Sequence, residues 1–318
     1  MQANVRRPAQ SHFFGMLDAA MVVLISFFSM PIANAQSTTP GPTTEGADWK
    51  AVEQAIGRPG QMQPGDVIKF AMPRKDLHVS LDGVEIKPAL ALGSWAAFKR
   101  DAGGAMVMGD LVLTEDELGP VMMKLQEGGV QETAVHNHLV GESPRVMYMH
   151  IASHGDAAQM AKVIHDALAL TKTPGPDAGS AHPQPAPDLG FDQKQIEGIL
   201  GRPGKVNGGV LQIAVPRAET ITDSGMTVPP SMGVATALNF QPTRNGKAAV
   251  TGDFVLVARE VNPVIKTLRA NGIAVTALHS HMLTEEPRLF FMHFWANDDP
   301  VKLAKGLSAA LHATNSAK

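Results

Sequence analysis

Apolar positions along the chain show two periodicities. Short runs alternate as they do in strands, and longer segments have apolar residues at helical spacing. Strand-like runs occupy residues 67–72, 94–99, 105–113, 131–140 and 145–152, and again 209–215, 235–241, 248–257, 274–282 and 288–296. Helical stripes occupy residues 115–127 and 157–170, and again 261–270 and 300–311. Because strands dominate and helices occur as separate insertions, the pattern predicts an α+β fold with a largely antiparallel sheet and flanking helices.

The same order of elements occurs twice, and short landmarks mark the repeat. Gly-Arg-Pro-Gly at 57–60 returns at 201–204, Pro-Arg at 73–74 returns at 216–217, and Gly-Asp at 109–110 returns at 252–253. Landmarks in the same order at such a long period indicate two tandem units rather than a solenoid. We predict repeat domains at residues 47–173 and 189–318, joined by a proline-rich linker at 174–188.

The start of the chain is typical of a secretory signal peptide. Arg6 and Arg7 precede an apolar run at 19–30, and a small-x-small pattern ends at Ala35. The run is shorter than the roughly 20 residues that span a bilayer. We therefore predict a cleaved signal peptide at 1–35 and a disordered leader at 36–46. This predicts a periplasmic or secreted protein, with no stable membrane anchor after signal cleavage.

Composition excludes several kinds of chemistry. The chain has 27 basic and 30 acidic residues, three Trp and one Tyr, so it lacks the basic and aromatic surface of a nucleic-acid binder. It has no cysteine, which excludes disulfides, thiolate nucleophiles and thiolate metal ligands. Any metal must be held by nitrogen and oxygen atoms.

A His-x-His…Glu…His set occurs once in each repeat. Its members are His136, His138, Glu142 and His150 in the first, and His279, His281, Glu285 and His293 in the second. Residues two apart in a strand face the same side, and a hairpin centred near Ser143 would place His136 opposite His150. The same arithmetic pairs His279 with His293. Three imidazoles and a carboxylate in one place predict a divalent transition metal, zinc above all, with copper, nickel, manganese or iron as alternatives.

Four further charged residues are candidates for supporting roles. Asp110 and Asp253 interrupt apolar strands, and each is either a fourth ligand, an acceptor for an imidazole N–H, or a solvent-facing strand end. Arg145 and Arg288 either hold an anionic ligand or pair with the glutamate of their own connection, and the spacing favours the pairing.

The Gly-Arg-Pro-Gly opening, the Gly-Asp strand and the stretch from His136 to His150 resemble the LppY/LpqO family of bacterial exported proteins. The resemblance extends over nearly all of both repeats. It implies export and a duplicated domain, and it implies no particular reaction. Lipoproteins of that family carry a cysteine after the signal, which this chain lacks, so the resemblance implies no lipid anchor here.

These observations favour a periplasmic metal-binding protein, with one site per repeat or one site shared between them. One alternative is a metal-assisted hydrolase of cell-envelope material, with Glu142 or Glu285 as general base. Another is a metal-free module whose polar cluster binds an unknown small ligand or envelope component. The sequence contains none of the common hydrolase motifs, so whether the protein is an enzyme stays open.

Overall fold

The computed structural model describes residues 49–101, 104–176 and 188–317. The predicted signal peptide at 1–35, the leader at 36–46 and most of the linker lie outside the described residues. All described residues belong to one compact unit that contains both repeats. No helix in these ranges is long and apolar enough to cross a membrane.

The described part of the first repeat forms one six-stranded antiparallel sheet with helices packed on one face. Its elements are α1 (Lys50–Ile56), β1 (Gln61–Gln63), β2 (Val67–Pro73), β3 (Ser80–Leu81), β4 (Val84–Glu85), α2 (Pro88–Ala91), β5 (Gly93–Asp101), β6 (Gly104–Thr114), α3 (Glu115–Glu127), β7 (Glu132–His136), β8 (Val146–Gly155) and α4 (Ala157–Leu168). The strand order is β1-β2-β5-β6-β8-β7. The edge strand β7 therefore carries the first histidine of the set.

The second repeat, as far as it is described, has the same strand order in its own sheet, β9-β10-β13-β14-β17-β15. Its elements are α5 (Gln193–Leu200), β9 (Lys205–Asn207), β10 (Val210–Pro216), β11 (Thr222–Asp223), β12 (Met226–Thr227), β13 (Ala235–Pro242), β14 (Ala248–Val257), α6 (Ala258–Ala270), β15 (Ala274–His279), β16 (Glu285–Glu286), β17 (Leu289–Asp298) and α7 (Pro300–Leu311). Short 3-10 turns lie at Pro230–Met232 and Arg244–Gly246. The predicted α+β fold with antiparallel sheets is confirmed.

One face of each sheet packs against its own helices. In the first repeat Phe70, Phe98 and Leu111 meet Val121 of α3 and Ile164 of α4, all fully buried. An equivalent core fills the second repeat. Since strand side chains alternate between faces, the residues between these apolar positions are directed away from the helices. The opposite face is therefore the one available to the other repeat.

An arm from the second repeat, residues 221–234, covers that opposite face of the first sheet. Val228 and Met232 of this arm pack with Met106 and Met108 of β6. These side chains are almost fully buried. The first sheet is thus sandwiched between its own helices and an arm of the other repeat.

The reciprocal arm, residues 79–92, packs over the second sheet. Leu90 and Leu92 are buried in one cluster with Val210 and Ala249. Each fully buried aliphatic side chain contributes about 1.5–3 kcal/mol relative to exposure. Either repeat alone would expose this apolar surface, so the two repeats fold as one unit.

The arginine of the repeated Pro-Arg landmark links the sheet to a helix in each repeat. The guanidinium of Arg74 donates to the Val112 carbonyl (2.7 Å) and to both oxygens of Glu117 (2.7 and 3.1 Å), and the side chain is fully buried. Arg217 makes the same bonds to the Val255 carbonyl and Glu260. Removing one partner of such a buried pair typically costs about 3–5 kcal/mol. The landmark is structural.

Candidate metal centre

A row of paired residues crosses the open face of each sheet. In the first repeat the row is Ala71, Trp95, Asp110, His150 and Ala134, and in the second it is Ala214, Ala237, Asp253, His293 and Ala277. Directly paired residues of neighbouring strands share a face. Each repeat therefore presents a carboxylate beside an imidazole towards the other repeat.

The register of the histidine strands differs from the predicted hairpin. His136 pairs with Tyr148, and His150 pairs with Ala134, next to a register shift in β7. Direct opposition of His136 and His150 was wrong, because the connection is centred on Glu142 rather than on Ser143, which shifts the partner of His136 by two residues. A displacement of two residues keeps side chains on the same face. The two imidazole rings accordingly lie 5.0 Å apart between centroids.

The predicted pairing of His279 with His293 was wrong in the same way. His279 pairs with Phe291, and His293 pairs with Ala277. Their ring centroids are still only 4.9 Å apart. The common face survives in both repeats because the error is an even number of residues.

The Gly-Asp landmark orients the last histidine of each set. His293 Nδ1 donates to the Gly252 carbonyl at 2.7 Å, and His150 makes a hydrogen bond to the Gly109 backbone. A carbonyl only accepts, so Nδ1 of His293 carries the proton and Nε2 keeps its lone pair. The glycine thus fixes the imidazole, while the adjacent aspartate supplies a carboxylate.

These positions also require glycine for steric reasons. A Cβ at Gly252 would lie 1.9 Å from the Ala237 carbonyl oxygen, and a Cβ at Gly109 would lie 2.7 Å from that of Trp95. Real Cβ atoms do not approach backbone so closely. Any side chain there would push the neighbouring strand and the aspartate out of position.

The rings of the two repeats interleave. His138 stacks on Tyr148 at 3.3 Å and on His293 of the other repeat at 3.7 Å. Between the repeats, His136 and His279 lie 3.6 Å apart. The histidines therefore form one cluster rather than two separate sites.

A second stack mirrors the first with the repeats exchanged. His281 lies 3.4 Å from Phe291 and 3.8 Å from His150 of the other repeat. Reciprocal contacts of this kind are the signature of an approximate two-fold relation. The cluster lies where the two repeats meet.

Most of the cluster's polar atoms have no hydrogen-bond partner within the described part of the chain. They are both ring nitrogens of His136 and His279, Nε2 of His138, His150, His281 and His293, and Oδ1 of Asp110 and Asp253. A buried polar atom without a partner costs about 1–3 kcal/mol. A cation coordinated by these lone pairs would offset that cost.

Four groups of three residues among those described can hold a metal ion, with one donor atom from each lying within 4.8 Å of the others. They are His136–His150–His279, His136–His138–His293, Asp110–His138–His150 and Asp253–His279–His293. The first two draw on both repeats. Only the last two share no residue, so at most two ions can occupy such groups at once.

Burial keeps the imidazoles in their metal-binding form. It lowers the pKa of His136 to about 4 and holds the pKa of His138 well below the ordinary imidazole value, where neighbouring imidazoles lower it further. Burial likewise lowers the pKa values of His150, His279, His281 and His293. Neutral imidazole is the form that coordinates metal.

The two aspartates lie beside the imidazole nitrogens. Asp253 Oδ2 is 3.1 Å from His281 Nε2, and Asp110 Oδ2 is 3.6 Å from His138 Nε2. Burial raises the pKa of Asp253 to about 6, and burial together with the charge of Asp253 raises the pKa of Asp110. Both carboxylates face the cluster rather than bulk solvent.

Glu142 and Glu285 lie in the connections. Glu285 accepts from the Leu289 backbone (2.9 Å) and from Arg288 (3.1 Å), and its side chain is fully buried. Glu142 accepts from Asn137 at 3.4 Å. Neither belongs to any of the four donor groups. Their roles as ligand and as general base stay predictions.

The two arginines differ from each other. Arg288 pairs with Glu285, as the spacing favoured. Arg145 is largely exposed and pairs with Glu115 of α3 at 3.5 Å. The predicted pair of Arg145 with Glu142 was wrong because Arg145 lies next to the start of α3 rather than over its own connection.

A cavity of about 1050 Å³ reaches the cluster from one side. Its floor includes Asp110, Asp253, His138, His150, His281 and His293. Lys69 and Trp95 form part of its wall. His136 and His279, which are partly exposed, are not among the described residues that line it.

The repeats correspond to a known family. The family described as Domain of Unknown Function (DUF1259) matches residues 50–170 and 194–313, which is more than half of the chain. This chain belongs to that family. The match falls once on each repeat, so the DUF1259 unit is the single repeat and this member contains two, as the landmarks predicted.

Other comparisons add little. No curated protein matches the chain. A trimeric bacterial microcompartment shell protein, PduB, is 11% identical over 81% of this chain and 95% of its own, with a TM-score of 0.20. EtuB from Clostridium kluyveri is 8% identical over 79% and 90%, with a TM-score of 0.19. Scores this low support no structural or functional argument.

Sequence reasoning did not find Lys69 and Trp95. Each occurs in one repeat only, so the internal match gave no signal for them. A lysine inside the otherwise apolar run at 67–72 was the available cue, because charged residues are seldom placed on a buried strand without a purpose.

Proposed function

We propose that this protein is an exported metalloprotein whose two repeats jointly bind a transition metal at one centre. Zinc fits the nitrogen and oxygen donor set best, with copper, nickel, manganese or iron as alternatives. The observation that carries the proposal is the convergence of six histidines and two aspartates with buried donor atoms that lack hydrogen-bond partners among the described residues. All of them except His281 belong to at least one of the four donor groups. A single ion can take ligands from both repeats, whereas two ions would have to occupy the two groups that each belong to one repeat.

Export is the second element of the proposal. The charged start, the short apolar run and the small-residue pattern ending at Ala35 support a cleaved signal peptide and a periplasmic or secreted location. The resemblance to the LppY/LpqO exported proteins supports the same destination.

The donor atoms have distinct roles in this proposal. Nε2 of His138, His150, His281 and His293 and the carboxylates of Asp110 and Asp253 coordinate from the cavity side. His136 and His279, which do not line the cavity, coordinate from the other side. The backbone carbonyls of Gly109 and Gly252 hold imidazoles in the coordinating orientation.

Elemental analysis of the purified protein tests the proposal. Wild type should carry one or two equivalents of a transition metal per chain. The double variant His138→Ala/His281→Ala should lose it and melt at a lower temperature, because the metal stabilises only the folded chain. The matched control is His78→Ala/His154→Ala, which removes two exposed histidines outside the cluster.

Two further outcomes are decisive. Metal-free wild type whose melting temperature does not respond to added zinc would refute the proposal. Glu142→Gln/Glu285→Gln should keep its metal, because both carboxylates accept hydrogen bonds within their own connections and belong to none of the four donor groups. Loss of metal in that variant would instead show that the glutamates are ligands.

One observation favours a second function, metal-assisted hydrolysis: the centre is open to a large cavity. Catalytic metal sites keep a position for water, which the ion makes more acidic. Asp110 and Asp253 line that cavity, whereas Glu142 and Glu285 do not, so the aspartates are the better placed bases. Chromogenic esters and phosphates assayed on the same preparations separate this function from simple binding. Turnover must disappear in His138→Ala/His281→Ala.

A further inference from the structure

The wall of the cavity carries positive charge. Three lysines line it: Lys69, Lys75 and Lys205. Among its described lining residues, the acidic ones are Asp110 and Asp253, which belong to the centre. Once these are committed to a cation, the other charged side chains that line the cavity are lysines.

Lys69 is the cation closest to the centre's carboxylates. It lies on the same sheet face as Trp95 and Asp110, and the charge of Asp110 acts on it. Burial lowers its pKa to about 8, and the charge of Asp110 opposes that shift. Its ammonium has three N–H donors, one of which goes to the Ser231 carbonyl at 3.2 Å.

Trp95 extends the same wall. The Lys69 ammonium lies 3.9 Å above its ring. The ring also abuts Gly233, where a Cβ would come within 2.9 Å of it, and Gly233 in turn bonds His281. A planar apolar surface thus runs from the lysine towards the centre.

The opposite wall has neither feature. The position that corresponds to Lys69 is Gln212, whose amide donates to the Ala89 carbonyl at 2.8 Å. The position that corresponds to Trp95 is Ala237. The pairing of a buried lysine with an indole ring therefore exists on the first repeat's wall only, since the lysine that the second repeat contributes to the lining is Lys205 on its edge strand β9. A ligand that needs both features has a single orientation in an otherwise two-fold site.

We propose that the cavity binds an organic anion whose carboxylate or phosphate pairs with Lys69 and whose apolar part lies on Trp95, with the remainder directed at the histidine–aspartate centre. This inference rests on the proposed function for the direction of the ligand, and on the cavity wall alone for its charge.

Fluorine NMR titrations of the full chain as purified test the inference with four small probes. They are 4-fluorobenzoate, 4-fluorophenyl phosphate, neutral 4-fluorobenzamide and cationic 4-fluorobenzylamine. Probes of this size bind good sites with Kd values in the millimolar range. At least one anion should bind about tenfold more tightly than the amide and the amine. Comparison of the two anions decides between carboxylate and phosphate.

Variants assign the effect to Lys69. Lys69→Met should remove the preference for the anion, Lys69→Arg should keep most of it, and Trp95→Leu should weaken the anion and the amide together. The matched control, Lys162→Met, removes a lysine on α4 that pairs with Asp166 and should bind as wild type does. Circular dichroism and metal content establish that each variant is folded.

Three results would overturn the inference: no anion binding at about 10 mM, equal or tighter binding of the amide or amine, or an unchanged preference in Lys69→Met. The last result in a metal-loaded protein would mean that the metal holds the anion. Conversely, a protein that takes up no metal, even when metal is added, and still shows a Lys69-dependent preference would refute the metal proposal and leave this one standing.

Discussion

The two repeats hold the same residues at the centre but different residues on the cavity wall. Both copies supply three histidines, one aspartate and the glycine before it. On the wall, Lys69 and Trp95 of the first repeat correspond to Gln212 and Ala237 of the second. A centre assembled from both copies needs matching ligands from each, whereas the wall of a shared cavity needs to bind its ligand only once. The comparison therefore separates the candidate metal ligands, which the repeats share, from the residues of the cavity wall, which differ between them.

The largest expected effect comes from the glycines that place the aspartates. Gly252→Ala should reduce the free energy of unfolding by at least about 3 kcal/mol and Gly109→Ala by about 1–3 kcal/mol, since overpacking a rigid core costs this much. The larger figure belongs to Gly252 because its Cβ would come nearer to backbone. Urea denaturation of chelator-treated protein measures both.

The matched controls for these variants are Gly119→Ala in α3 and Gly198→Ala in α5. A Cβ at either position meets nothing within 4 Å. Alanine has the higher helix propensity, so both controls should be neutral or stabilising by up to about 1 kcal/mol. Equal tolerance at Gly109 and Gly252 would contradict the steric account of the landmark.

The next effect distinguishes one shared centre from two separate ones. His136→Ala and His279→Ala should weaken metal binding equally, by at least about tenfold or about 1.4 kcal/mol, because the two rings are equivalent in a shared centre. Competition titrations against a chelator of known affinity provide the measurement. If the ions instead occupied only Asp110–His138–His150 and Asp253–His279–His293, then His279→Ala alone would lose an ion.

The smallest expected effect concerns Tyr148 and Phe291, the aromatic rings on which His138 and His281 stack. Tyr148 donates to the Ala91 carbonyl at 3.0 Å, while its counterpart Phe291 has no hydroxyl. Tyr148→Phe makes the first repeat resemble the second and should cost about 0.5–1.5 kcal/mol of stability, the net value of one hydrogen bond. Thermal unfolding reports the loss, and metal content should stay at the wild-type level. A fall in metal content would show that the hydroxyl supports the centre directly.

Much of the fold was predictable because its signals are local. The strands and helices follow from apolar periodicity, and the helix at 115–127 has the predicted bounds. The repeat was identified from short landmarks, and the structure shows what they do. Arg74, for example, forms a buried ion pair with Glu117. The six histidines, identified by spacing, lie in one cluster.

What the sequence did not reveal depends on contacts between distant residues. The connection between β7 and β8 is centred on Glu142 rather than on Ser143, which displaces the pairing by two residues, and no local signal marks this. The stacking of His138 on His293 joins residues of different repeats, and spacing within one repeat cannot predict it. The wall formed by Lys69 and Trp95 lies on strands that are remote in sequence from the six histidines of the cluster.

The crossed arms have a consequence for any chain that contains one copy of this unit. Each arm, residues 79–92 and 221–234, covers the sheet of the other repeat, and each histidine stack contains rings from both. A polypeptide with a single copy of this unit could satisfy those contacts only by pairing with a twin. A single-copy chain would thus have to be a homodimer with two identical cavity walls, whereas two copies in one chain can carry different walls.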